Sequence, residues 1–476
     1  MDPTCAEVTV GSRTGRAVLA AAILGSSLAL LDSTVVNVAL HRIGEDLDAS
    51  LEQLQWVSNG YLLSLASLTL LGGSLGDRFG RRRIFMVGVV GFALTSVACG
   101  LAPTAPVLIL ARIAQGVSAA LLVPGSLAMI QGTFAPADRS RAIGTWSGLG
   151  GVATAVGPFL GGWLVQAVSW RWVFLINLPV AVVTLVVARR VPETRDPAAV
   201  PGFDSIGAVL GALGLGGITY ALIQWTAEPG VAAASLGVGL VSGVAFVINE
   251  RRRPHPMLPP ALFASRQFSA ANAMTLLTYA ALGGVLFFLV LQLQTVAGLG
   301  PLEAGLATLP ITVMMLLLAG RGGALAGRIG PRLPMTVGPL LCAVGTLLLS
   351  RVDEDLHYWT DVAVPLTVFG LGLAALVAPL TAAVLAAAPD HHAGVASGVN
   401  NAVARAGSLL AVAALPLMVG LTGADYQRPE VFDAGYRSAM LWCAALLVGG
   451  GLLSWLLIRN PDSDRPTWVI EGTAGD

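Results

Sequence analysis

The chain contains little of what a water-soluble domain needs. It has no lysine, and charged residues make up only 11% of its 476 residues, against about 25% in soluble domains. Water therefore cannot be the solvent for most of its surface. The four cysteines, Cys5, Cys99, Cys342 and Cys443, are scattered without the CxxC or Cys/His spacing of a disulfide framework or a zinc site. We expect them to serve helix packing only.

Sequence patterns of enzyme chemistry are also missing. The chain has no phosphate-binding glycine loop and no Ser/His/Asp constellation, and the adjacent His391 and His392 lack a third metal ligand. We predict that the protein is not an enzyme and binds no cofactor, metal or nucleic acid. Any pumping must then draw on an ion gradient or on a separate partner. A membrane sensor stays a remote alternative.

The chain is rich in apolar sequence, since 55% of its residues are apolar or aromatic. A helix needs about 20 predominantly apolar residues to cross the hydrocarbon core of a bilayer. The pattern predicts an all-α membrane protein with fourteen transmembrane helices. They are expected near 17–40, 54–75, 83–102, 106–131, 143–166, 172–190, 204–225, 230–249, 268–296, 301–320, 333–350, 361–387, 394–420 and 436–458.

Arginine is unevenly distributed between the predicted loops. With the N-terminus in the cytoplasm, twenty of the 27 basic residues fall on cytoplasmic segments, five fall outside and two lie inside spans. Basic residues concentrate in the cytoplasmic loops of membrane proteins. The distribution therefore predicts an even number of spans, two cytoplasmic termini and a multi-pass location in the plasma (inner) membrane.

One loop sequence occurs twice. GSLGDRFGRRR at 73–83 reappears as GALAGRIGPRL at 323–333, an offset of 250 residues, after the second helix of a six-helix block each time. Transporters often contain such duplicated halves. We predict an N-terminal six-helix bundle in 1–195, a two-helix insert in 196–255 and a C-terminal six-helix bundle in 256–476.

Five segments carry a family resemblance that covers nearly the whole chain. They are the loop Gly73–Arg82, the fourth-helix segment Leu108–Gly116, the fifth-helix segment Gly157–Gly162, the first-helix segment Leu31–Leu40 and the sixth-helix segment Trp170–Pro179. Together they resemble the major facilitator superfamily, and within it the fourteen-helix drug:proton antiporter branch. These motifs are specific for the family and say little about the substrate.

The resemblance implies the major facilitator fold and a proton-coupled exporter that works by alternating access, with the proton gradient as its energy source. The expected substrate is an amphipathic or hydrophobic compound, as in multidrug efflux; a lipid or lipid-like metabolite is the alternative. Three positions depart from the pattern. His41 stands where the branch usually has proline, Gly327 stands where the first repeat has Asp77, and Ala153 replaces a usual glycine.

Asp32 and Arg112 are the charged residues that lie deep inside the predicted spans of the first half, away from the span ends. An ionised group inside a membrane is costly unless it is paired or hydrated, so Asp32 can take up or lose a proton as its surroundings change. Arg112 keeps its proton and needs a buried anion or carbonyl partner. We predict that Arg112 biases Asp32 and that the pair couples proton movement. The alternatives are a structural carboxylate and an arginine that only binds backbone carbonyls.

Conformational switching is assigned to a cytoplasmic loop, to a segment of the fifth helix and to Arg405 on the thirteenth span. Asp77, Arg78 and Arg81 form a charged cytoplasmic loop, and the resemblance implies that it helps to hold the outward-open state. A merely topogenic loop would explain the arginines but not Asp77. Gly157 and Pro158 permit close helix approach and a bend.

Arg405 shares a polar stripe of the thirteenth span with Asn401, and a gate or plain interhelical hydrogen bonding would both explain it. Further residues could line a substrate cavity, although packing against lipid or core is the alternative for each aromatic. The set is Asn37, Tyr61, Gln115, Tyr220, Gln224, Asn272, Tyr279, Phe287 and Asn401. We expect a monomer among membrane lipids that binds a small amphipathic or lipid-like substrate.

Overall fold

The computed structural model describes residues 8–195, 204–254, 256–388 and 393–460, and within them the chain is helical without a β-sheet. The first half comprises α1 (Arg13–Leu47), α2 (Leu51–Phe79), α3 (Arg81–Gly100), α4 (Ala105–Thr133), α5 (Pro136–Ala167), α6 (Trp172–Leu175) and α7 (Asn177–Ala188). Between the halves lie α8 (Ser205–Gln224) and α9 (Pro229–Arg252). The second half comprises α10 (Arg266–Thr295), α11 (Pro301–Ala307), α12 (Leu309–Ile329), α13 (Arg332–Leu349), α14 (Val364–Ala386), α15 (Ala393–Met418) and α16 (Pro429–Leu457).

Twelve of these helical segments are long and apolar enough to cross a membrane, so the chain is a multi-pass membrane protein. The predicted count of fourteen is not confirmed. Two predicted spans fall outside the twelve: α2 is long but carries polar residues such as Gln55 and Asn59, and the apolar stretch Trp172–Ala188 is short. Polar side chains and a broken helix weaken the apolar signal at these two places.

Polar caps fix where several helices begin. Ser50 and Gln53 form a reciprocal capping box at the start of α2, which satisfies two otherwise unpaired backbone N–H groups. The Asp204 carboxylate accepts a hydrogen bond from the Gly207 backbone at 2.7 Å and starts α8.

The two extra helices lie at the periphery of the bundle. α8 packs against both α2 and α15, while α9 packs mainly on α8. At the α2 contact, the Tyr220 and Trp56 rings are 6.0 Å apart. A β-carbon on Gly216 would lie 3.5 Å from Leu63. α8 therefore covers the seam between α2 of the first half and α15 of the second.

The duplicated loop adopts equivalent contacts in the two halves. Gly80 and Gly330 both have positive φ, 113° and 83°, which an L side chain rarely adopts. Two residues further on, the Arg82 backbone N–H donates to Glu193 at 3.0 Å and the Arg332 N–H donates to Asn460 at 3.1 Å. Each loop is thus anchored to the segment that follows the last helix of its own half.

The two halves are bonded to each other at one end of the bundle, here called the closed end (residues 38–55, 166, 294–302 and 412–427). Gln55 Nε2 donates to the carbonyls of Val412 at 2.6 Å and Ala413 at 3.2 Å. Gln294 Nε2 donates to the Val38 carbonyl at 3.1 Å. In the described part of the chain, every hydrogen bond between the two halves lies at this end.

A loop between α15 and α16 completes the closed end. The Leu51 backbone N–H donates to the Gly423 carbonyl at 2.8 Å, and the Gly423 N–H donates to the Glu52 carboxylate at 2.8 Å. The Tyr426 hydroxyl donates to the Ala49 carbonyl at 2.8 Å. Backbone groups of both halves are therefore bonded directly across the interface.

The opposite end carries the loops 73–83 and 323–333 and is here called the open end. A β-carbon on Gly148 of α5 or on Gly320 of α12 would meet no heavy atom within 4 Å. α12 has no buried residue over Leu309–Ile329. The halves are thus hydrogen-bonded to each other at one end, whereas towards the other end α5 and α12 have positions that no protein atom contacts.

Candidate functional site

Asp32 lies at the centre of a buried polar cluster in the first half. Its carboxylate is 0% exposed and accepts hydrogen bonds from three side chains. Arg112 Nη1 donates at 2.5 Å, Gln115 Nε2 at 3.0 Å and Asn177 Nδ2 at 3.1 Å. Residues from α1, α4 and α7 therefore meet at one carboxylate.

Arg112 is satisfied as fully as its partner. Its guanidinium is 1% exposed. Besides the bond to Asp32, Nη1 donates to Gln115 Oε1 at 2.6 Å and Nε donates to the Val57 carbonyl at 3.0 Å. The Tyr61 ring lies 4.3 Å from the guanidinium carbon, a cation–π contact. Arg112 thus binds a carboxylate and a carbonyl together, which the sequence had left as alternatives.

Ser96 and Asn177 are members of the cluster that the sequence analysis did not assign. The Ser96 hydroxyl oxygen accepts from Gln115 Nε2 at 2.9 Å and from Asn177 Nδ2 at 3.2 Å. Asn177 stood inside the Trp170–Pro179 segment, where its polar side chain within an apolar run was the available signal. Ser96 gave no such signal, because isolated serines are common in membrane helices.

The electrostatics of the cluster follow from its burial. A buried ion pair is tolerated only when hydrogen bonds satisfy the remaining polar atoms, and here both partners have such bonds. Removing one charge would leave the other buried without compensation. The two opposite charges therefore compensate each other inside the first half.

The predicted cavity residues divide into four groups. Tyr61 and Gln115 belong to the buried Asp32 cluster, and Tyr220 and Gln224 belong to peripheral α8. Phe287 is 2% exposed and its ring lies 5.5 Å from Phe288, so it packs in the core of the second half. Its large apolar ring is best buried there, and in this conformation it does not line the space between the halves.

The remaining cavity candidates lie nearer the interface between the halves. Asn37 is partly exposed. Asn272 is 4% exposed and bonds Asn400, a residue that the sequence analysis passed over, at 3.3 Å. The Tyr279 carbonyl accepts from Ser408. Asn401 is exposed and donates to the Ser397 carbonyl of its own helix at 3.0 Å.

The Asp77 loop is docked within its own half. Arg81 Nε donates to Asp77 Oδ1 at 2.8 Å, and Arg82 lies 3.6 Å from the Glu193 carboxylate. The Arg78 guanidinium lies 5.2 Å from the Phe79 ring. Glu193 was missed because it stands in a loop without a family motif. With the open end separated, this loop has no hydrogen bond to the second half within the described ranges.

The fifth-helix segment packs on both halves. A β-carbon on Gly157 would lie within 3.0 Å of the Thr34 side chain, and one on Gly162 would lie 2.5 Å from the Pro301 carbonyl. Gly305 of α11 approaches the Pro158 carbonyl as closely. Glycine is therefore required where α5 meets α1, and again where it meets α11 of the other half.

A buried ion pair at the contact of several membrane helices is typical of a transport protein. The sequence profile of the Major Facilitator Superfamily matches residues 22–204 and 198–412. The chain belongs to the Major Facilitator Superfamily.

Characterised relatives cover most of the chain. The tetracenomycin C resistance and export protein of Streptomyces glaucescens is 37% identical over 406 residues, 84% of this chain and 75% of the relative. The methylenomycin A resistance protein of Bacillus subtilis is 34% identical over 460 residues, 94% of this chain and 95% of the relative. The multidrug efflux pump LfrA of Mycolicibacterium smegmatis is 35% identical over 457 residues, 94% and 89% of the two chains.

Solved structures share the fold. A D-xylose–proton symporter superposes with a TM-score of 0.67, covering 94% of this chain and 98% of its own. The two sequences are 15% identical. This likeness concerns the arrangement of helices alone.

Proposed function

We propose that the protein is a proton-coupled exporter of small amphipathic or hydrophobic compounds, a multidrug efflux antiporter of the plasma membrane. The observation that carries this proposal is the fully buried Asp32–Arg112 pair inside the first half, with a nitrogen–oxygen distance of 2.5 Å. The relatives whose names record resistance, export or multidrug efflux support the export of drug-like compounds.

The direction of opening follows from the arginine distribution. The open end carries Arg78, Arg81 and Arg82 in the first repeat and Arg328 and Arg332 in the second. Basic loops stay in the cytoplasm. The molecule is therefore in an inward-open conformation, with its closed end towards the outside.

In this proposal, the conformation of the protein decides whether Asp32 is bonded to Arg112 or carries a proton. In the inward-open state the Arg112 bond compensates the carboxylate charge, so the proton has left towards the cytoplasm. In the proposed cycle, conversion to the outward-open state weakens this bond, and Asp32 takes a proton from outside. Return to the inward-open state restores the bond and expels the proton. One proton enters in each cycle while a compound leaves.

The fourteen-helix topology forms part of this proposal. Its spans are the twelve long apolar helices, together with α2 and the α6–α7 pair. Both termini then lie in the cytoplasm. A reporter that is active only in the cytoplasm, fused after Asp476, is expected to give full signal. Signal from a reporter that is active only outside would contradict the even number of spans.

We expect Asp77→Asn to slow transport several-fold and to change substrate affinity little. The loop lies at the open end, away from the Asp32 cluster, so its change shifts the balance between conformations rather than a ligand contact. Initial export rates and equilibrium binding of one substrate measure the two quantities separately. Asp353→Asn, on an exposed loop at the other end, is the matched control, and a loss of affinity at unchanged turnover would contradict the role of Asp77.

The function itself is tested in proteoliposomes with an imposed pH gradient. The panel contains cationic, neutral, anionic and lipid-like amphipathic compounds. We expect uphill movement of drug-like compounds that stops when the gradient is collapsed with an ionophore. Movement of lipid-like compounds alone would replace the drug-export proposal by lipid export, and movement independent of the pH gradient would overturn proton coupling.

A further inference from the structure

We propose that Arg405 is an anion-recognition residue in the transport pathway and that the preferred substrates are amphipathic compounds carrying a carboxylate or phenolate. This inference rests on the proposed function, which names no charge for the substrate. It is carried by the position of Arg405 between the halves and by the lack of a partner for its charge in the described part of the chain.

Two contacts of α15 define the direction of Arg405. A β-carbon on Gly398 would lie 2.9 Å from Leu70 of α2, and the Val412 carbonyl binds Gln55 of α2. Residues 398, 405 and 412 are seven apart and so share one face of a helix. Arg405 therefore points from α15 towards α2, midway between these two contacts.

The charge of Arg405 is not compensated within the described residues. Its side chain is half-buried, makes no hydrogen bond or ion pair there, and lies within electrostatic range of Tyr61 and Tyr279. Guanidinium stays charged at any physiological pH. An unpaired charge away from water is costly, so a bound anion at this position is stabilised.

No carboxylate of the described helices can serve as that anion. Asp32 is the one acidic residue deep inside a helix, and Arg112, Gln115 and Asn177 already occupy it. The other described acidic residues lie in loops or within five residues of a helix end. The space between the halves is therefore positively charged.

A second observation comes from α2. Asn59 is 0% exposed, and neither its amide nitrogen nor its amide oxygen has a hydrogen-bond partner among the described residues. Asn59 follows Gln55 by four residues, so it faces α15 as Gln55 does. Its amide would supply neutral donors beside the Arg405 guanidinium when the halves separate.

The chemistry of these groups selects the ligand. The planar guanidinium fork binds carboxylate oxygens in pairs, and the apolar helices around it suit an aromatic or aliphatic body. Tyr61 is in electrostatic range of Asp32, Arg112 and Arg405. Only the Tyr61 side chain would thus separate an anion on Arg405 from the proposed proton-coupling pair.

The test uses three probes with one aromatic body: pyrenebutyrate, pyrenebutanol and pyrenebutyl-trimethylammonium. Binding to the purified protein in lipid nanodiscs is followed by pyrene fluorescence. We expect pyrenebutyrate to bind about ten-fold more tightly than the alcohol and the ammonium probe to bind most weakly. Equal binding of all three probes to the wild-type protein, or tighter binding of the ammonium probe, would overturn the inference.

Variants assign the preference to the residue. Arg405→Gln should bind carboxylate and alcohol equally, Arg405→Lys should keep most of the preference, and the surface control Arg437→Gln should keep all of it. Retention of the preference in folded Arg405→Gln would contradict the assignment. Export of the same probes separates the two proposals. Pyrenebutyrate that binds through Arg405 but is not exported refutes the exporter, and gradient-driven export of the ammonium probe without pyrenebutyrate binding refutes only anion recognition.

Discussion

Asp32→Asn should abolish export driven by a pH gradient while leaving substrate exchange without a gradient. Asparagine keeps the size of the side chain and can still bond Gln115 and Asn177, but it carries no proton that can be exchanged. Exchange needs no net proton movement and is expected to survive. The two activities are measured in the same proteoliposomes, with and without the gradient.

The loss of the Asp32 charge also leaves Arg112 buried without a counter-charge, which costs about 3–5 kcal/mol of stability. The double variant Asp32→Asn/Arg112→Gln removes both charges, so it should unfold at a higher temperature than the single variant and still be uncoupled. Asp361→Asn, on a partly exposed helix end, should stay coupled. Full coupling in a folded Asp32→Asn protein would move the proton to another group.

Gly162→Val should force the closed end apart and lower export at least ten-fold. A valine side chain would occupy the position 2.5 Å from the Pro301 carbonyl, where backbone of the other half leaves no room. The α5–α11 contact must then separate, and the inward-open state loses its seal. Gly237→Val on peripheral α9 is the control, because it is exposed and nothing lies within 4 Å of its β-carbon position.

Spin labels on Arg42→Cys and Ala424→Cys report this movement, since both positions are exposed at the closed end and belong to different halves. Their distance should lengthen in Gly162→Val and stay unchanged in Gly237→Val. A Gly162→Val protein with the wild-type distance and wild-type export would show that the seal does not depend on this contact.

The sequence predicted the class of fold because apolar runs and basic loops report directly on a membrane environment. The 250-residue offset also located two loops that the structure shows to be equivalent at Gly80 and Gly330. The predicted count of fourteen spans is not confirmed, because α2 and Trp172–Ala188 are not among the twelve helices that are long and apolar enough. Gln55 and Asn59 make α2 polar because it contributes to the interface between the halves, and a polar interface helix gives a weak membrane signal.

The charged members of the site could be predicted from the sequence, and its neutral members could not. Asp32 and Arg112 are conspicuous because charges inside a membrane are rare, and their contact needs only that α1 and α4 be neighbours. Ser96 and Asn177 are neutral, so their convergence on the carboxylate depends on helix packing that no local pattern encodes. Phe287 was predicted to line a cavity, and the structure buries it in the core of the second half. The sequence cannot distinguish these positions, because an aromatic residue in an apolar helix suits a core and a cavity equally.

Proton release on substrate binding tests proton coupling most directly. The purified protein is titrated with an exported compound in weakly buffered solution near neutral pH, and a pH-sensitive dye reports the protons set free. Because the compound binds the deprotonated inward-open state, it should draw protonated molecules into that state, so that wild type releases protons. The Asp32→Asn/Arg112→Gln variant should bind the compound without releasing any. Binding to wild type without proton release, or equal release by the variant, would contradict the assignment of the coupled proton to Asp32.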